Sequence, residues 1–352
     1  MKKILINALL LNAILLSPVS FAKWANPADK YAESYKSFLA ATCPIQAGDI
    51  KHFVYFARDR EKIIGHPFLS HTQFKGAQIM YPWAELEPAK GQYDFSAIEA
   101  DLSYLESKGK KLFIQLQDVT FNPEYKGVPE YLQSNEYAGG TIEQRTDKGI
   151  VEGWVAKRWN ANVQKRFALL LNAMGKAFDG RIEGINLQES AIGVSNKYDT
   201  DFSPAVYAQS LKKNMLTLKE AFPDSVTMQY ANFMPGEWLP WEDEGYLKSI
   251  YQYGEEIGVG LGAPDLMVQR RGQLNHAITM MHESNYSVPL GIAVQDGNYI
   301  GQTNSDKVKQ QRNNIVPLLH AFAKEFLKVN YMFWVDQPPY FTEDVLPCFS
   351  QD

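Results

Sequence analysis

The chain lacks most of what marks metal, redox and nucleic-acid proteins. It has two cysteines, Cys43 and Cys348, and six histidines in 352 residues. None of the histidines stands at ligand spacing from another, so no metal site and no cofactor are expected. With a net charge of −5 and no basic stripe, nucleic acid is excluded as a partner. No Ser/His pairing and no glycine-rich phosphate cradle can be found. Internal repeats and low-complexity tracts are absent, and after residue 22 no apolar run approaches the ~20 residues of a membrane helix. Nothing points to an oligomer, and a monomer is expected.

The one long apolar run is at the start. Lys2 and Lys3 precede the apolar residues 4–16, which lead to Ser20-Phe21-Ala22. A charged segment, a short apolar segment and small residues at −3 and −1 make a secretory signal peptide. Residues 1–22 are therefore expected to be removed by cleavage after Ala22, and residues 23–352 to be secreted or periplasmic. No cysteine follows the cut, which argues against a lipid anchor. In an oxidising compartment Cys43 and Cys348 can form one disulfide tying the ends of the mature chain together; two buried thiols are the alternative.

What the chain does have is a large apolar share, 45%, enough for a sizeable core, and a surplus of aromatics at 13%. The surplus suits a core and also a site that stacks flat ligands. From residue 51 strand-like and helix-like segments alternate. Strands are expected at 52–57, 76–81, 111–116, 181–190, 226–230, 259–267, 289–295 and 329–335. Helices are expected at 95–107, 163–178, 204–222, 246–257, 274–283 and 306–327; Val163, Phe167, Leu170, Leu171, Met174 and Phe178 form the clearest stripe. A polar excursion, 122–159, separates the third strand from the helix at 163, and a loop of that length is usually functional. Eight alternations without a composition break predict an α/β fold of one domain, a (β/α)8 TIM barrel.

Such barrels keep their chemistry at the C-terminal ends of the strands. Those ends hold Tyr81, Trp83, Glu85 and Glu87; Gln115, Gln117 and Asp118; Gln188 and Glu189; Tyr230 and Asn232; Asp265; Gln295 and Asp296; Trp334 and Asp336. Carboxylates protonate or attack, amides bind hydroxyls, and aromatic faces stack on sugar rings, so the inventory reads as a carbohydrate site. For any single aromatic at a strand end, packing is the commoner role. Strict alternation raises a difficulty at the fourth strand: with Ile185 and Leu187 facing the helices, Gln188 points inward and Glu189 does not. A bulge or the turn itself must re-aim it.

Residues 81–117 resemble the second βα unit of clan A glycoside hydrolases, in particular the β-galactosidase-like and cellulase-like members. The resemblance is carried by Trp83, Leu86, Glu87, Pro88, Gly91, Tyr93, Asp94 and Phe95. It implies a general acid/base glutamate after an amide at the end of strand four, matched by Gln188-Glu189. It also implies a nucleophilic glutamate at the end of strand seven, where Gln295 stands, followed by Asp296 and Gly297. The family's arginine near strand two has Gln78 close to its place, and its tryptophan at strand eight is matched by Trp334. The resulting expectation is a secreted glycoside hydrolase with Glu189 and Asp296 as the catalytic pair and a carbohydrate as partner. Asp265 and Asp336 are alternative bases. Trp83, Gln117, Gln188, Tyr230, Trp238, Trp241, Asp265, Gln295 and Trp334 are expected to contact substrate. A barrel that binds sugar without cleaving it is the alternative, motivated by Gln295; a secreted scaffold whose aromatics only pack is a third reading.

Overall fold

A computed structural model of the chain describes residues 30–237, 244–274, 276–303 and 314–349. The expected signal peptide and two of the expected sugar contacts, Trp238 and Trp241, lie outside these residues. In chain order the strands are β1 (Lys51–Tyr55), β2 (Phe74–Pro82), β3 (Lys111–Gln117), β4 (Val119–Thr120), β5 (Thr141–Arg145), β6 (Val151–Ala156), β7 (Gly184–Leu187), β8 (Val226–Tyr230), β9 (Gly260–Ala263), β10 (Leu290–Val294) and β11 (Tyr331–Val335). Eight of them close a parallel barrel in the order β1-β11-β10-β9-β8-β7-β3-β2. This is the expected (β/α)8 barrel.

The outer layer contains α1 (Ser96–Ser107), α2 (Ala161–Phe178), α3 (Pro204–Ala221), α4 (Tyr246–Ile257), α5 (Ala277–Glu283) and α6 (Ile315–Ala321). α2 buries the expected stripe, Val163 through Phe178, against the barrel. It begins at Asn160, whose side chain accepts the N–H groups of Asn162 and Val163, a cap worth about 1 kcal/mol. In the same way Ser203 caps α3, with Pro204 in the first turn where no N–H is needed. Gly258, at φ 75°, ends α4.

Period-two alternation decides what fills the barrel. Phe53, Phe113, Tyr331 and Phe333 meet inside it, with ring centroids 5.0–6.3 Å apart. These rings need space that glycines on neighbouring strands supply. A Cβ on Gly262 would lie 2.7 Å from the Tyr230 ring, and one on Gly291 would lie 2.8 Å from the Met228 side chain. Gly262 in the sixth barrel strand and Gly291 in the seventh thus leave room for Tyr230 and Met228. Towards the C-terminal end the interior turns polar: Gln78 Nε2 donates to Asn186 Oδ1 at 2.9 Å and to the Tyr230 hydroxyl at 3.1 Å.

Some expected elements differ. The fourth barrel strand is shorter than the expected 181–190, at Gly184–Leu187, while the sixth, Gly260–Ala263, falls inside the expected 259–267. The segment expected as one helix over 274–283 is broken, with a turn at Arg271–Leu274 ahead of α5. The polar excursion is ordered as a small antiparallel sheet, β4-β6-β5, at the active end of β3. β4 and β6 approach so closely that a Cβ on Gly153 would lie 1.8 Å from the Thr120 carbonyl oxygen. Cys43 and Cys348, 305 residues apart, are joined in a disulfide, as expected, beside a parallel bridge between Ile45 and Phe349. Among the described residues no helix is long and apolar enough to cross a membrane.

Candidate active site

A cavity of ≈ 300 Å³ opens at the C-terminal end of the barrel. Tyr55, Ala57 and Arg58 line it from the end of β1, Met80 from β2, and Gln115 and Gln117 from β3. Val119, Thr120, Phe121 and Asn122 add the wall built by the small sheet. Gln188 and Glu189 follow β7, Tyr230 ends β8, Pro264 follows β9, and Gln295 and Asp296 follow β10. Both expected catalytic carboxylates therefore face one space.

The phase problem at Glu189 is solved after the strand ends. Gln188 and Glu189 both reach the cavity because the chain leaves β7 at Leu187 and turns under several fixed hydrogen bonds. Gln229 Nε2 donates to the Gln188 carbonyl at 2.8 Å. The buried Arg158 donates to the Glu189 carbonyl at 3.1 Å, and the Tyr207 hydroxyl donates to the Ser190 carbonyl at 3.0 Å. Ser190 Oγ donates to the Phe233 carbonyl at 2.6 Å. Arg158 is itself held by Asp118 through two bonds of 2.7 and 2.6 Å and donates to the Tyr207 hydroxyl at 2.7 Å. The polar excursion thus delivers Arg158 beneath the loop that carries Glu189. The same segment pins that loop from outside, since Arg145 N–H donates to the Gly193 carbonyl at 2.8 Å.

Glu189 is half-buried: one side opens on the cavity and protein encloses the rest. This loss of water, with the Asp265 carboxylate nearby, pushes its carboxyl up to about 8. The Asn232 amide, donating to Oε2 at 2.6 Å, and the Arg158 charge oppose the rise without cancelling it. A carboxyl in this state carries its proton at neutral pH, the condition for a general acid.

Asp296 reaches the cavity through the turn that follows β10. β10 ends at Val294, Asn298 Oδ1 accepts the Gln295 N–H at 2.7 Å, and Gly297, at φ 84°, donates its N–H to Gln337 at 3.0 Å. Asp265 sits behind the cavity wall in the left-handed region, φ 65°, accepting from Asn298 Nδ2 at 3.0 Å. Burial raises its carboxyl, and the charge of Asp296 adds to the rise. Asp336 does not line the cavity; its carboxylate meets His66 Nε2 at 3.2 Å. Of the three candidate partners, Asp296 is the one that shares the cavity with Glu189.

The amides are the less obvious feature. Gln115 and Gln117 are 2% and 5% exposed, and their side-chain oxygens find no protein donor. Among the described residues the Gln295 side chain makes no hydrogen bond, and Gln188 meets only the Met80 sulfur at 3.7 Å. A buried amide without a partner is costly unless a ligand supplies one.

Two expected sugar platforms are elsewhere. Trp83 is fully buried, donates to Glu87 Oε2 at 2.9 Å and packs its edge against Phe167. Glu87 also accepts from Gly91 N–H and Arg166, so the Trp-x-x-Leu-Glu-Pro turn is a clamp between β2 and α2. Trp334 alternates with the interior Phe333 and so points out of the barrel, where it is fully buried and donates to His52 Nδ1 at 3.2 Å. Among the described residues the exposed aromatic at the cavity is Phe121. Tyr55, Arg58, Thr120, Phe121 and Asn122 were missed as cavity residues, and Arg158 as the support for Glu189. For Tyr55 the signal was present, because it shares the inward phase of Phe53 two residues earlier in the first strand. Among the described residues no group of three His, Cys, Asp or Glu could hold a metal.

No family model matches the sequence, and no curated protein matches it. Solved structures are similar in fold. The catalytic domain of β-amylase from Paenibacillus polymyxa is similar over 83% of this chain and 93% of its own, with 10% identity and a TM-score of 0.53. Endo-glycoceramidase II from Rhodococcus sp., solved as a lactosyl-enzyme intermediate, is similar over 82% of this chain and 74% of its own, with 11% identity and a TM-score of 0.51. What is shared is the fold. It is the barrel that the resemblance around Trp83 implied.

Proposed function

We propose that the chain is an exported glycoside hydrolase acting on a poly- or oligosaccharide, with Glu189 as general acid and Asp296 as its partner carboxylate. The observation that carries this reading is the pairing within one cavity of a carboxyl protonated at neutral pH with a second carboxylate and unsatisfied glutamine amides. Glu189 gives its proton to the glycosidic oxygen as the bond to the anomeric carbon breaks. Asp296 then either bonds to that carbon, to be displaced by water, or takes a proton from the water that attacks it. In both cases one water is consumed and two hydroxyls are formed. Gln115, Gln117, Gln188 and Gln295 present donors and acceptors to sugar hydroxyls, and Phe121 offers a ring face at the rim. The two structural neighbours are glycosidases, which supports the reading at the level of fold; the disulfide is compatible with export.

One observation favours a second reading. The amide of Gln295 stands at the strand-seven position where the resembled family carries its nucleophile, so the barrel could bind glycans and leave them intact. A panel of purified polysaccharides and oligosaccharides, incubated with wild-type protein and with Glu189→Gln, separates the readings by release of reducing ends. Hydrolysis by the wild type and none by the variant is expected. Equal hydrolysis by both sinks the assignment of Glu189, and binding without product release selects the second reading.

A further inference from the structure

Residues 58–62, Arg-Asp-Arg-Glu-Lys, leave β1 at the cavity rim with three cations and two acids. The last four pair with neighbours. Arg60 holds Asp101 at 2.7 and 2.8 Å and lies 3.7 Å from Glu61, and Lys62 holds Asp59 at 2.6 Å. Arg58 alone turns into the cavity wall. Its guanidinium lies 4.1 Å from the centroid of the Tyr125 ring, whose hydroxyl donates to Glu85 Oε1 at 3.3 Å. Among the described residues no carboxylate pairs with Arg58. Its N–H donors are left for solvent or a ligand, although Asp59 follows it directly in sequence.

The arrangement is pre-organised. The contact with the Tyr125 ring holds the guanidinium at the rim, and a guanidinium binds carboxylate or sulfate in a fork. A cation already held in place loses less freedom on binding than a mobile one. Phe121 and Asn122 share the rim with it, while the reacting carboxyls come from β7 and β10. Gln115 and Gln117 line the same cavity, so a sugar chain that fills it can meet the amides and the cation together.

We propose that this rim is a subsite for an anionic sugar, in which Arg58 binds a carboxylate or sulfate on a unit next to the bond that is cleaved. The proposal rests on the glycosidase reading and narrows its substrate class from glycans in general to acidic ones, with a uronosyl unit as the favoured source of the charge.

The test compares uronate oligosaccharides, the same oligosaccharides after carboxyl reduction, and sulfated neutral oligosaccharides. kcat/KM is measured for the wild type, Arg58→Gln and Arg58→Lys, and affinity is measured by calorimetry on Glu189→Gln. The wild type should favour an acidic oligosaccharide over its neutral counterpart by roughly tenfold or more, as one charge-assisted fork provides. Arg58→Gln should erase that preference, and Arg58→Lys should keep part of it as a point charge. Because Arg58 is exposed, circular dichroism should show both variants folded. A preference for the sulfated probes over the uronates would assign the charge to sulfate within the same subsite. Equal action on acidic and neutral forms, or a preference that survives Arg58→Gln, overturns the subsite and leaves the glycosidase reading standing. Failure of every probe to be cleaved or bound overturns the subsite, and the wider glycan panel then decides the glycosidase reading.

Discussion

Glu189→Gln isolates the electrostatic state on which the mechanism depends. In the unfolded chain this carboxyl titrates near its ordinary 4.5, and in the folded protein near 8. Below pH 4.5 both states carry the proton. Between 4.5 and 8 the unfolded chain loses it and the folded protein keeps it, so the native state binds more protons and stability falls as pH rises, by about 1.4 kcal/mol per pH unit. Above 8 both have lost it and the slope vanishes. Integrated over that window, ionised Glu189 costs the fold on the order of 3–5 kcal/mol. Glutamine has nearly the same shape, keeps an oxygen for the Asn232 amide and cannot ionise. Urea denaturation of wild type and variant at pH 4 and pH 9 should therefore give similar stabilities at pH 4, and a variant more stable by several kcal/mol at pH 9. On a cleaved glycan, the wild-type kcat/KM should fall along an alkaline limb near pH 8. A variant with the same advantage at both pH values, or with none, refutes the raised carboxyl.

Other residues give independent outcomes. Arg158→Met leaves Asp118 buried without its partner, which should cost about 3–5 kcal/mol in denaturant unfolding; loss of the nearby cation should also move the alkaline limb of kcat/KM upward. Trp83→Phe removes one donor to buried Glu87 and should lower stability by about 1–3 kcal/mol without raising KM, whereas Phe121→Ala should raise KM with little change in melting temperature. Replacing both Cys43 and Cys348 by alanine opens a 305-residue closure and should cost about 2–5 kcal/mol, read as a lower urea midpoint with activity retained below it.

The barrel was legible because its signals are local. α2 shows its stripe in sequence, the strands are apolar runs between turns, and the Trp83–Phe95 turn carries its own anchoring residues. Glu189 was legible as a carboxylate at a strand end, but what orients it was not. Arg158 lies 31 residues away in a segment without helical or strand periodicity strong enough to read, and its partner Asp118 looks like any loop acid. Trp83 and Trp334 misled for a related reason. Position near a strand end says which end of the barrel a side chain occupies, while its direction follows from alternation and from partners such as Glu87 and His52. The phase of β11, with Phe333 inward, already turns Trp334 away from the cavity. Phe121 and Arg58 escaped notice because they follow the strand tips, where alternation no longer assigns a face.

The most direct test of Glu189 as the acid is a comparison of leaving groups. Wild type and Glu189→Gln are assayed on a cleaved oligosaccharide and on the matching dinitrophenyl glycoside, whose leaving group departs without protonation. Loss of the acid should slow the oligosaccharide by about 10²–10⁴-fold and bond cleavage in the dinitrophenyl glycoside far less. An equal loss on both substrates, or no loss on either, would contradict the assignment.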